Sequence, residues 1–191
     1  MNILVINCGS SSVKAAVING ETGKNLLTMN IERVLDNPLV HINETTLECT
    51  EVGHEAVLKF ALPLVKEYLG TDSLDGVGHR VVHGGDKFDT PVLIDEIVEK
   101  AIEDVSGLAP LHNPVNLLGI AVARTIFSNL PHIAVFDTSF HQTMPKRAVQ
   151  YALPKQLREK HGLRRYGFHG TSHEYVAELA ADYLQADLNA L

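Results

Sequence analysis

The chain has 191 residues, 45% apolar and 20% charged, an ordinary composition for a globular domain with a sizeable core. Its formal net charge of −7 argues against a general nucleic-acid binder, so an anionic ligand would have to be held by local basic groups. No run of about 18 apolar residues marks a membrane span, the N-terminus lacks the basic leader of a signal peptide, and two cysteines, Cys8 and Cys49, give no disulfide framework, so a reducing cytoplasm is the expected compartment.

The first half reads as strands. Ile3–Asn7 is a short apolar run, and Ser12–Ile18 follows after a tight Gly-Ser link, so the two form a hairpin. Further strands are expected at Asn25–Val34, Leu39–Asn43 and Thr46–Thr50. The period then changes: Val57, Phe60, Ala61, Leu64, Val65 and Tyr68 are spaced for a helix that Gly70 ends and Pro63 should bend or interrupt. Gly76–Val82 is a strand. Asp95 caps a helix carrying Ile97, Val98, Ala101 and Ile102 on one face. Asn113, followed by Pro114, reads as the cap of a helix reaching about Phe127, and His132–Asp137 is another strand. Thr171 to Glu174 reads as a capping box opening a last helix, with Val176, Leu179, Ala180, Tyr183 and Leu184 as its apolar stripe. Strands first, then alternating helix and strand, predict a three-layer α/β domain with a mixed sheet.

Five segments sit at strand ends or helix starts, where such domains bind anions. NCGSSSVK (7–14) offers backbone N–H groups, hydroxyls and Lys14 to a phosphate, although Gly and Ser are also plain turn residues. GHRVVHGG (78–85) puts Arg80, a planar fork suited to carboxylate or phosphate, near the end of a strand. LAPLHNP (108–114) sets His112 just before a helix N-terminus. FDTSFHQTMP (136–145) ends a strand with Asp137, which suits Mg²⁺ or a substrate, or merely a turn. RRYGFHGTSH (164–173) sets His169 before another helix; its spacing to His173 also admits zinc, but no third ligand or HExxH glutamate accompanies it.

Together these segments, in this order and spacing, resemble the acetate kinase family of the sugar kinase, Hsp70 and actin superfamily. The resemblance implies a ribonuclease-H-like (actin-like ATPase) α/β fold in βββαβαβα order. It makes residues 1–191 the N-terminal domain of a two-domain enzyme, with the C-terminal nucleotide-binding domain absent from this chain. Its implied reaction is reversible, in-line phosphoryl transfer from ATP to acetate, with Mg²⁺ or Mn²⁺. Carried over by position, Asn7, Ser10, Ser12 and Lys14 match the phosphate-binding segment and Asn7 and Asp137 the metal-linked residues. Arg80, His112, Asp137 and His169 match catalytic residues; Val82, Leu111 and Phe168 match the walls around the acetate methyl, with Arg80 holding the carboxylate. Members pair as homodimers through the other domain, and membrane and nucleic acid are not among their partners. The β-branched Val82 favours acetate over propionate. A propionate or other short-chain carboxylate kinase, and a non-catalytic anion-binding half-domain, are the alternatives. This half alone is expected to be inactive.

Overall fold

A computed structural model describes residues 1–188. The antiparallel strands β1 (Asn2–Cys8), β2 (Val13–Asn19), β3 (Asn25–Glu32), β4 (Leu39–Ile42) and β5 (Thr45–Glu48) come first, followed by α1 (His54–Leu69) and β6 (Gly76–Val81). A two-residue strand, β7 (Val92–Leu93), precedes α2 (Glu96–Asp104), α3 (Asn113–Ile126) and β8 (His132–Phe136). Two short helices, α4 (Lys146–Val149) and α5 (Lys155–His161), lead to α6 (Gly170–Leu184). All eight strands form one mixed sheet in the order β5-β4-β3-β2-β1-β6-β8-β7, in which β1, β6 and β8 run parallel.

Alternation builds the core. Leu4, Ile6 and Cys8 of β1, Val13, Ala15 and Val17 of β2, and Leu27, Met29 and Ile31 of β3 all face α1 and α3. Beside them, Val81, Ala134 and Phe136 meet Val98 and Ile102 of α2 and Ile120 of α3. Side chains of this size each gain about 1.5–3 kcal/mol on burial, which makes this face the main source of stability. Cys8 and Cys49 are buried and unpaired, and burial pushes the Cys8 thiol up to about 12.

Several local expectations change. Helix α1 runs through Pro63, which lies on the solvent side, while Leu58, Ala61, Leu62 and Val65 anchor its other side. Strand β7 and helices α4 and α5 arise where no clear period exists in the sequence. Asp95 caps α2 as expected, accepting from the Val98 N–H at 2.8 Å, but Ile97 is exposed and only Val98, Ala101 and Ile102 of the expected face are buried. The cap of α3 is His112, not Asn113, whose side chain is wholly buried. The capping box of α6 does not form: the helix starts at Gly170, with His169 as a cap that makes no side-chain bond. The apolar stripe of α6 stays exposed, with only Gly170 and Ala181 buried, because this helix meets the sheet mainly near its start.

Candidate active site

The carboxyl ends of β1, β6 and β8 and the residues just before α3 and α6 enclose a cleft of about 780 Å³. Ligands of open α/β sheets bind at such ends, and helix N-termini add positive potential there. Every site residue carried over from the resemblance lines this cleft, namely Asn7, Ser10, Ser12, Lys14, Arg80, Val82, Leu111, His112, Asp137, Phe168 and His169, whereas His173 does not.

The turn between β1 and β2 is tight. Its Gly9 N–H donates to the Ser12 carbonyl at 2.8 Å, and a Cβ at Gly9 would stand only 3.2 Å from that oxygen. The His54 Nε2 group, at the start of α1, holds the Gly9 carbonyl from below at 2.8 Å. Asn7 and Lys14 are cross-strand partners, so their side chains share the cleft face.

Arg80 is the centre of the polar network. Its Nε donates to Asp137 Oδ1 at 2.9 Å and its Nη2 to Oδ2 at 2.6 Å, a bidentate pair. Nη1 donates to Asn7 Oδ1 at 3.2 Å. The Asp137 side chain is 2% exposed and that of Arg80 34%. The hydrogen bonds to Asp137 hold the guanidinium above its ordinary pKa, against the opposing effect of burial. Of the five N–H bonds of an arginine, three meet Asp137 and Asn7 and the second on Nη2 lies towards His169, which leaves one on Nη1 for a ligand.

His169 reaches the same group from α6. Its Nδ1 lies 3.5 Å from Arg80 Nη2 and 3.9 Å from Asp137 Oδ2. Its backbone is left-handed, at φ 56°, which is costly for a residue with a Cβ and is typical of functional sites. Gly170 makes that geometry feasible: its N–H donates to the Asp137 carbonyl at 2.9 Å, where a Cβ would stand 2.5 Å from the same oxygen. Leu111 and Phe168 remain exposed, and the Phe168 ring rests edge-on against buried His83.

The oxygen donors suit a hard cation. Asn7 and Asp137 provide amide and carboxylate oxygens that already accept from Arg80, so Mg²⁺ beside phosphate oxygens would meet them through its bound water. Among the described residues, no three His, Cys, Asp or Glu side chains converge as a protein-only metal cage, which leaves the His169–His173 zinc reading without a third ligand. Three supporting residues escape the motif reading. His54 lies far off in the chain, Asn116 lies past the LAPLHNP segment, and Asn113 reads only as a helix cap; the i, i+3 spacing of the two asparagines is the available signal.

The sheet order and the cleft at its parallel strand ends define an α/β domain of the actin-like ATPase fold. The model of the Acetokinase family matches residues 2–191, and the chain belongs to that family. It is 49% identical to an acetate kinase of Thermotoga petrophila, over all of this chain and 50% of that protein. A propionate kinase of Francisella tularensis superposes with a TM-score of 0.91 at 42% identity, covering 97% of this chain and 50% of the other. The acetate kinase of Porphyromonas gingivalis gives 0.87 at 38% identity, covering 98% and 50%. The chain spans about half the length of the curated relatives it matches.

Proposed function

We propose that this chain is the N-terminal, carboxylate-binding half of an acetate kinase, which transfers a phosphoryl group between ATP and acetate. The observation that carries this reading is Arg80, pinned by buried Asp137 and half-buried Asn7 with one Nη1 N–H left over, between a Gly-Ser turn and the side chain of Val82. The rest of the nucleotide site belongs, on this reading, to a second domain in a protein of the relatives' length, and the homodimer expected from the resemblance forms through that domain. No helix among the described residues is long and apolar enough to cross a membrane, and we place the enzyme in the cytoplasm.

The chemistry follows from charge. A carboxylate has a pKa near ~4, so acetate is already a nucleophile at neutral pH and needs no general base. The obstacle is repulsion between two anions. Arg80 binds the carboxylate and then the phosphoryl oxygens, and the helix N-termini at His112 and His169 face the same charge. His169 donates to the phosphoryl group, and His112 orients it. Asp137 acts by holding Arg80 rather than by taking a proton. Ser10, Ser12 and Lys14 receive the nucleotide phosphates. Asn7 and Asp137 would hold a divalent cation, which when bound neutralises phosphate charge.

A second reading, propionate kinase, is favoured by the Francisella relative. Val82 argues for acetate, because its branched side chain takes space that one more methylene would need. One methylene is worth about 1–3 kcal/mol of discrimination. The test is hydroxylamine trapping of the acyl phosphate made by the full-length protein. We expect kcat/KM for acetate to exceed that for propionate by roughly ten-fold, and Val82→Ala to erase most of the difference. A clear preference for propionate would instead support the second reading. Absence of any acyl phosphate would point to a non-catalytic anion binder.

A further inference from the structure

Strands β1 and β6 run side by side only as far as Ile6 and His79. Beyond that point β1 stays with β2 up to Cys8, and β6 stays with β8 up to Val81. The sheet forks there, with the Gly-Ser turn on one branch and Arg80 and Val82 on the other.

On its cleft side the fork is crossed by the Arg80–Asn7 hydrogen bond, and a buried side chain of α3 joins the two backbones. The Asn116 Nδ2 donates to the Cys8 carbonyl at 2.9 Å, and its Oδ1 accepts from the Val82 N–H at 3.1 Å. This amide is 3% exposed and replaces the strand-to-strand bonds that the fork removes. One turn earlier, wholly buried Asn113 holds the next residue of the same branch. Its Oδ1 accepts from the His83 N–H at 3.1 Å, and its Nδ2 donates to the His83 carbonyl at 2.9 Å and to that of Ile102 at 3.2 Å. Neither asparagine lines the cleft.

We propose that Asn116 is a positioning residue for phosphoryl transfer: its amide sets the distance between the phosphate turn and the carboxylate pocket. The inference rests on the acetate kinase reading. It needs an amide in particular, since only a group that both donates and accepts can join a carbonyl on one branch to an N–H on the other.

The test uses the full-length enzyme, with kcat and KM for acetate and ATP followed from about pH 5 to pH 8. Asn116→Leu should lower kcat about 10- to 100-fold, as misplacement of reacting groups does. Asn116→Asp adds a readout that a merely structural role would not move. Ionised, the carboxylate cannot donate to Cys8; protonated, it offers one donor and one acceptor, as the amide does. Burial raises such a carboxyl pKa, so the ratio of its kcat to that of wild type should rise as the pH falls. Cys8, pushed up to about 12, does not titrate in this range, and His83, lowered by burial, is common to both proteins and cancels in the ratio. Thr125→Ala, further along α3, should leave kcat unchanged. Wild-type kcat and KM in the folded Leu variant would overturn the proposal. Should that variant not fold, a pH-independent ratio for the Asp variant would overturn it just as well. A wild-type enzyme that makes no acyl phosphate would instead sink the acetate kinase reading, and this inference with it.

Discussion

His79 and His132 show how finely single residues are committed in this sheet. They are buried neighbours on β6 and β8, with His79 Nε2 2.9 Å from His132 Nδ1 and His132 Nε2 3.2 Å from the Phe127 carbonyl. That carbonyl accepts only, so His132 donates from Nε2 and receives the His79 N–H at Nδ1, and both rings are neutral. Burial first, then repulsion from His132 once it is protonated and from Arg124, lower His79 from 6.5 to about 3. The unfolded chain takes up a proton below its ordinary pKa, whereas the folded chain resists until the lowered one. Stability from this residue is therefore complete above that ordinary value and falls by ~1.4 kcal/mol per pH unit on acidification towards the lowered value. His79→Gln keeps a donor towards His132 and cannot titrate. Its urea midpoint should fall less between about pH 7 and pH 4.5 than that of the parent chain. Equal losses would show that the pair does not govern acid sensitivity. None of this was legible in GHRVVHGG, because the partner lies 53 residues further on in the chain.

At the scale of elements, helix α3 decides the architecture of the site. Asn113, Asn116 and Gly119 recur every three residues, and each meets a strand end. Gly119 is needed for close approach, since a Cβ there would stand 2.5 Å from the Cys8 Sγ. Gly119→Ala should therefore cost about 1–3 kcal/mol through overpacking, even though alanine favours a helix by about 1 kcal/mol. Placing the same change in a Cys8→Ala background removes the clash and cancels the propensity gain from the comparison. Its cost there should vanish or reverse, as read from melting temperatures; an equal cost in both backgrounds would refute the contact. The helices and strands themselves were largely readable, because burial on one face imposes a period of 3.6 or 2. Their ends were less so. Asn113 fits a cap by type, but two carbonyls and an N–H within reach draw its amide inwards. Thr171 to Glu174 fits a capping box, but Gly170 docks on the Asp137 carbonyl and starts the helix two residues sooner. In both cases a contact across the fold outweighs a local preference worth about 1 kcal/mol.

Across the whole molecule, five segments spread from residue 7 to residue 173 converge on one cleft. Their types and their places at strand ends were visible in the sequence, which is why the lining of the cleft was legible. The bonds between them were not. Nothing in the spacing announces that Asp137 gives both oxygens to Arg80, or that Asn116 bridges the fork. In the proposed function Arg80 is the cation that carries acetate and phosphoryl group together, held in place by Asp137 and Asn7. The most direct test is kcat for acetyl phosphate formation by the full-length Arg80→Ala enzyme, with its melting temperature measured alongside. Loss of such a charge-stabilising group is worth roughly 3–4 kcal/mol, so a fall of about 10²- to 10³-fold in a still-folded protein is the predicted result. Turnover within a few-fold of wild type would contradict it.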